Sequence, residues 1–561
     1  MCTTMILTPG TTENGTMVVT HSGDDDMGDQ RVIAVPAAEH GPDAMRPVLP
    51  RGENYPRINT MDRGPYYHVP EFPLSVPLGH IPQVTHTYAY YDCNYGVMNE
   101  HSLLMGECTN GARHTPDAVP QAEAGPSRHM RLFYSEELSK VALERCTGSR
   151  EAVELMGALI DEFGFYSDGE TLLVADASEA WVMEMCALPS EDDWNHSAWI
   201  AQRVPDGHVF AAANTFRIRE IPEDPTTRPD LIFPKDLRER LKAVHYWNPE
   251  ENPVCDWYPA VSAGEQHHPY YSLRRVWRIF DRVNPDLGLI PYVEDTYSTY
   301  YPFSVPTNRK LTRPEIFGLY RDHYEGTPFD LTKGIAAGPY GDPHRSYGPY
   351  DGDGGVGGGP FDKQGAWERP ISVHYQGFTH ILESHADWPK ETGAVMWFGP
   401  DVAYTTVFVP FWAGACDLPV PFQTGNPRLY DETIAFWMFN FVGTWARLNW
   451  QRMTEVDIKP LQAEIEAQSI AMVDALNGEF CVGSGPSVGK AREAANDNSA
   501  EVLQRWSALG RMLVAKYSQG FINPPPMDRS DVTAIGYSAK WLDDTNYRDG
   551  PTRYGLPLTP R

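Results

Sequence analysis

Cys2 follows Met1 directly and opens the strand-like run CTTMILTPG, so removing one methionine leaves a residue with both a thiol and a free amine. A nucleophile with a base in reach is the minimum for covalent acyl transfer, and a terminal amine can be that base without a histidine. Reference pKa values of roughly 7.7–8.0 for an α-amine and about 8.5 for a thiol let a proton pass between them near neutrality. Many chains carry a small residue after Met1 for no chemical reason, so position alone does not decide. The next strand-like run, TMVVTHS, ends at His21 and leads into Asp24, Asp25 and Asp26. Asn14-Gly15 between the two runs signals a hairpin that returns these carboxylates to Cys2. An aspartate there holds the amine toward the thiol and raises its pKa. Read on their own, the three aspartates are a solvated turn or a divalent-cation loop.

Other familiar chemistries find little support. GPSVG around Ser487 matches G-x-S-x-G but lies in a Gly/Ser-rich linker, away from the strand-turn-helix setting of a nucleophile elbow. G-x-G-x-x-G spacing occurs only inside the glycine-rich stretch YDGDGGVGGGP, and no P-loop is present. That stretch begins like a calcium loop at Asp351 and Asp353 but lacks the spaced oxygen ligands. No H-E-x-x-H pair exists, and the eight cysteines are scattered without a C-x-x-C. The motifs call for no cofactor and no metal.

The elements that must position Cys2 read as a sheet-rich first half: MILT, TMVVTHS, VTHTYAYY, SLLMGE, TLLVAD, AWVMEMC and HVFAAAN, separated by turn residues. Helical periodicity appears in SEELSKVALERC, SREAVELMGALIDEFG and SLRRVWRIFDRVN, the first two with a Ser in the capping position. Further strands are expected at ISVHYQG, GAVMWFG and TTVFVPFWAG, followed by a helical C-terminal part. The expected organisation is a unit over 1–450 with a glycine-rich loop at 334–365, a helical extension over 451–522 and an irregular tail over 523–561. With 561 residues the chain buries a large core. Its net charge of -29 argues against nucleic acid or an anionic membrane as partner. No apolar run approaches a membrane span and nothing resembles a secretory signal, so a cytoplasmic protein with reduced thiols is expected. A homo-oligomer is compatible with all of this.

Taken in order, the segments CTTMILTPGTTENGTMVVTHSGDDDMGDQRV, YGVMNEHSLLMGE, VADASEAWVMEM, RVPDGHVFAAANTFRI, SLRRVWRIFD, FDLTKGIAAGPYGDPHR, GAVMWFGP and FWMFNFV resemble the dipeptidase family of N-terminal nucleophile (Ntn) hydrolases, which also contains the secernins. The resemblance covers roughly residues 2 to 460. It implies an α+β fold, a four-layer αββα sandwich, with Cys2 as nucleophile, its own amine as base, and dipeptides or short peptides as substrates. By analogy with related acylases it implies Asp24 as the holder of the amine, and Asn99 and Asn214 as an oxyanion-stabilising pair. Arg275 in SLRRVWR is the implied active-site arginine, with Arg274 and Arg278 as competitors on another helix face. His21 stands where those relatives commonly carry an arginine beside the thiolate. An Ntn amidase or acylase acting on another amide, and a non-catalytic secernin-like interaction protein, are the alternatives.

Overall fold

CTTMIL carries no charge and mixes β-branched with long apolar side chains, and it forms strand β1 (Cys2–Leu7), buried at every position. It pairs antiparallel with β2 (Met17–Asp24), from Cys2 opposite Gly23 to Leu7 opposite Val18. The connection turns at Gly15, whose φ of 69° lies in the left-handed region that glycine enters without a Cβ clash. The computed structural model describes residues 2–25, 28–124, 130–189, 197–264, 271–291, 301–345, 367–482, 487–523 and 532–550.

Along the chain follow β3 (Ile33–Val35), β4 (Tyr90–Asp92), β5 (Gly96–Asn99), β6 (Leu104–Asn110), β7 (Gly169–Ala175), β8 (Ala180–Ala187), β9 (Ser197–Arg203), β10 (His208–Ala212), β11 (Leu231–Ile232), β12 (Ser304–Pro306), β13 (Gln376–Ser384), β14 (Ala394–Pro400) and β15 (Val409–Trp412). They build two antiparallel sheets, one of seven strands ordered β12-β10-β1-β2-β13-β14-β15 and one of eight ordered β11-β9-β8-β7-β6-β5-β4-β3. The sheets lie face to face, β1 and β2 against β6 and β7. Gly106 on β6 allows the approach, since a Cβ there would sit 2.8 Å from Thr20 O on β2. Helices α1 (Ser135–Arg145) and α2 (Ser149–Phe163) cover the eight-stranded sheet, and α3 (Leu273–Val283) packs on β10 of the other. Later helices α4 (Ala435–Ala446), α5 (Lys459–Val482) and α6 (Val488–Lys516) cover β14 and β15. The architecture is therefore α+β with antiparallel sheets.

Several local expectations are corrected. VTHTYAYY splits into His86–Thr87 and β4, which pair with different strands. ISVHYQG enters the ladder only at Gln376, because Ser372 N bonds Asp322 O and Val373 N bonds Ile371 O instead of a neighbouring strand. Ser135 and Ser149 are the first helical residues, so the capping positions belong to Tyr134 and Gly148. Between α4 and α5 the backbone leaves the helical region at Asn449 (φ -155°, ψ 69°), and α5 and α6 share the core that contains Cys2. The tail is not wholly irregular: Phe521–Ile522 pairs with Thr533–Ala534, and Ala539–Asp544 is a helix. Most of the glycine-rich stretch, 346–366, lies outside the described residues, as do 524–531 and 551–561. Among the described residues no helix is long and apolar enough to cross a membrane.

Candidate active site

Hydrogen bonding on both sides holds β1 between β2 and β10. The Cys2 thiol donates to Glu107 Oε2 at 3.1 Å, across the gap between the sheets. Glu107 Oε1 accepts from Thr109 Oγ1 at 2.9 Å, and Glu170 on β7 shares a hydrogen bond with Glu107. Burial, then the Glu107 charge, pushes Glu170 well above the usual carboxylate range, so Glu170 is the proton donor of that pair. Tyr134 OH closes the chain on Glu170 Oε1. Burial first and Glu107 second push the Cys2 thiol well above its ordinary value. The Cys2 side chain is therefore a neutral thiol at neutral pH.

Asn214 and Arg275 hold the backbone of Cys2. Asn214 follows β10 in the left-handed region at φ 58°, a conformation that asparagine tolerates better than most side chains. Its Oδ1 accepts from Cys2 N at 3.4 Å, and its Nδ2 donates to Thr109 O at 2.7 Å. Its own N–H donates to Cys108 Sγ at 2.8 Å. Arg275 on α3 donates through Nη1 to Cys2 O (2.8 Å) and Thr3 Oγ1 (2.9 Å). Its Nη2 reaches Ala213 O (3.2 Å) and Asn214 Oδ1 (2.9 Å), and its Nε reaches Tyr271 O (2.8 Å). The competitors point elsewhere: Arg278 pairs with Asp322, and Arg274 lies 3.5 Å from Glu368.

His21 and Asp24 flank the thiol from β2. His21 Nδ1 meets Glu107 O at 2.8 Å and lies 3.8 Å from Glu107 Oε2, while its Nε2 is buried without a hydrogen-bond partner among the described residues. Its ring sits among Tyr95, Phe378 and His380. Burial lowers its pKa from the ordinary 6.5, against a smaller opposing pull from Glu107, so it is uncharged at neutral pH. It cannot stand in for a permanent arginine charge. Asp24 is 1% exposed, which rules out the solvated-turn reading for this residue. Its Oδ2 accepts from Arg369 Nη2 at 2.6 Å, and its Oδ1 has no partner among the described residues. Arg369 in turn lines a small cleft with His344, Glu368 and His374. Asp26 lies outside the described residues.

Asn99 is a correction. Its Nδ2 donates to Leu143 O and Cys146 O, both at 2.9 Å, and its Oδ1 accepts from His101 N (3.0 Å) and Leu103 N (3.2 Å). Those bonds tie the β5–β6 turn to the carbonyls at the end of α1, groups a helix cannot satisfy itself. The side chain has no capacity left for an oxyanion. Ser487 in GPSVG caps α6 by accepting from Lys490 N at 3.2 Å. Sequence reasoning missed Glu107 and Arg369; the signal for Glu107 was a lone carboxylate in the apolar run SLLMGE. Among the described residues, Cys2, His21 and Glu107 also offer ligand atoms within 4.8 Å of one another, all buried.

Residues 1–462 match the family model described as peptidase family C69. The chain is 26% identical over 313 residues to "Probable dipeptidase B" of Lactococcus lactis subsp. lactis, covering 54% of this chain and 55% of that protein. It is 24% identical over 308 residues to "Dipeptidase A" of Lactobacillus helveticus (54% and 55%), and 22% identical over 394 residues to a "Probable dipeptidase" of Latilactobacillus sakei (67% and 72%). The chain thus spans about half the length of the first two of these relatives. With the match running from the first residue across both sheets into the later helices, the chain belongs to peptidase family C69.

Proposed function

We propose that this chain hydrolyses dipeptides or short peptides, with Cys2 as nucleophile once Met1 has been removed. The observation that carries the reading is the seating of Cys2, at the start of a strand paired on both sides, with its thiol on Glu107 and its backbone held by Asn214 and Arg275. The relatives' names as dipeptidases supply the substrate class. The two facing sheets with helices outside support the αββα Ntn-hydrolase sandwich and an Ntn unit ending near 450. All eight cysteines are free, which suits the reducing conditions of the cytoplasm.

In this reading Met1 removal turns the Cys2 nitrogen into an amine. Asp24 Oδ1, buried and unpartnered one residue beyond the Cys2–Gly23 pair, accepts one of its protons. The amine takes the thiol proton as sulfur attacks the scissile carbonyl, then returns it to the leaving amine, and water cleaves the thioester. Arg275 acts as a positioning residue, since its guanidinium binds the carbonyl of Cys2 rather than its sulfur. The test is a dipeptide panel on wild type and Cys2→Ala, with intact mass measured on the active protein. Loss of hydrolysis in Cys2→Ala and a mass lacking Met1 are expected. Activity that survives in Cys2→Ala, or that belongs to a chain retaining Met1, overturns the mechanism.

A further inference from the structure

We propose that Cys2, His21 and Glu107 form an inhibitory site for a single divalent transition-metal ion of the zinc type. The ligand set stands without the peptidase reading; that occupancy inhibits rests on it.

The donors are one thiol, one imidazole and one carboxylate, the mixture that zinc takes and that magnesium and calcium, which want several oxygens, do not. Zinc–ligand lengths place the donors of a tetrahedral site about 3.3–3.6 Å apart. Here Cys2 Sγ and Glu107 Oε2 are 3.1 Å apart, His21 Nδ1 and Glu107 Oε2 3.8 Å, and all three ligand atoms lie within 4.8 Å. Closing on an ion therefore needs side-chain adjustment rather than movement of strands. The carriers are rigid: His21 on β2 pairs with Thr4 on β1, two residues along from Cys2, and Glu107 comes from the facing sheet.

Charge points the same way. Among the described residues no Arg or Lys lies within ion-pairing distance of the buried Glu107 carboxylate, and its nearest basic side chain there is His21. A buried carboxylate without a cation is costly. A divalent ion with one thiolate and one carboxylate is neutral overall. The ring nitrogen facing Glu107 is Nδ1, so ligation there exchanges its bond to Glu107 O for one to the ion and leaves the ring proton on Nε2. Binding breaks the Cys2 S–H bond and releases that proton to the buffer, so affinity rises with pH. The fourth position goes to water or, after Met1 removal, to the Cys2 amine, which closes a five-membered ring with its own sulfur. An ion on Sγ holds the electron pair that would attack the substrate.

The test uses the full-length protein freed of metal by a chelator, titrated with Co²⁺ and then Zn²⁺. One equivalent of Co²⁺ should give a thiolate-to-cobalt charge-transfer band that Zn²⁺ abolishes. His21→Ala and Glu107→Gln should each weaken Zn²⁺ binding at least about tenfold, and Cys2→Ser should lose the band. Zn²⁺ at saturation should stop dipeptide hydrolysis, and chelator should restore it. Absence of the band in the unsubstituted protein overturns the site whatever the variants do. Undiminished Zn²⁺ affinity in both His21→Ala and Glu107→Gln also overturns it. A metal-binding protein that hydrolyses no peptide keeps the site and defeats the dipeptidase reading, whereas hydrolysis insensitive to saturating Zn²⁺ defeats the inhibition.

Discussion

Replacing Arg275 by methionine keeps most of the side-chain volume on α3 but removes five buried donor contacts. Three of the acceptors are main-chain carbonyls, of Cys2, Ala213 and Tyr271, at 2.8–3.2 Å. The other two, Thr3 Oγ1 and Asn214 Oδ1, belong to the strand that carries Cys2 and to the residue beside its nitrogen. A buried polar group left without its partner costs about 1–3 kcal/mol. Three carbonyls at the lower end of that range, with some relaxation, give about 3–5 kcal/mol. Against the usual 5–15 kcal/mol of total stability this is a large loss. Urea unfolding followed by tryptophan fluorescence should show it as a lower midpoint, with Arg275→Lys in between because an ammonium can meet only some of the acceptors. Catalysis should fall as well, since a reacting group displaced by about 1 Å costs about 10²-fold in rate. In Arg275→Lys, kcat on a dipeptide should therefore drop while KM changes less. A methionine variant within about 0.5 kcal/mol of wild type, with unchanged kcat, would show that the guanidinium positions nothing.

Asn99→Ala should lose about 2–3 kcal/mol of stability through its four turn and helix-end bonds, with kcat on a dipeptide unchanged in the folded fraction; a selective fall in kcat would return Asn99 to the reaction. Arg369→Met strands the buried Asp24 carboxylate and should cost about 3–5 kcal/mol, whereas Arg369→Met with Asp24→Asn should recover much of that in denaturation, and equal losses in both would refute the pairing. Burial lowers His344 and His374 from 6.5 to about 4. Between those values the unfolded chain binds more protons, so their contribution is complete above about pH 6.5 and is lost as pH falls toward 4, on the order of 3 kcal/mol each. Urea midpoints from pH 7 to 4 should fall, and His344→Phe should flatten the fall; an unchanged slope would count against buried neutral histidines.

How much of this was legible depends on how local each signal is. Asn14-Gly15 between two apolar runs encodes the first hairpin, and with it the return of His21 and Asp24 to Cys2. The choice among Arg274, Arg275 and Arg278 was not legible from helix phase, because all three are buried and only the partners on β1 and β10 distinguish them. Asn99 and Asn214 look alike as asparagines at strand ends. They part because one spends its amide on the turn and helix next to it, while the other turns left-handed and meets a strand from the chain start. Glu107 stood out only as a lone carboxylate in an apolar run; its meeting with Cys2 could not be read, since one sheet lying on another makes it and no periodicity records that. The Arg369–Asp24 pair spans 345 positions because β13, which Arg369 leads into, pairs beside β2, a long-range pairing that no local pattern records.

The central place of β1 also sets a schedule. Strand β1 has neighbours at 18–23 and 209–212, is held by Arg275, and shares its sheet with β13 at 376–384. At about 5–20 residues per second, synthesis from Cys2 to Ser384 takes roughly 20–80 s. Through that interval the thiol has been made but its surroundings have not. A nascent chain therefore carries the Cys2 thiol before the partners that seat it exist, and a ribosome that stalls before α3 releases a fragment unable to seat Cys2.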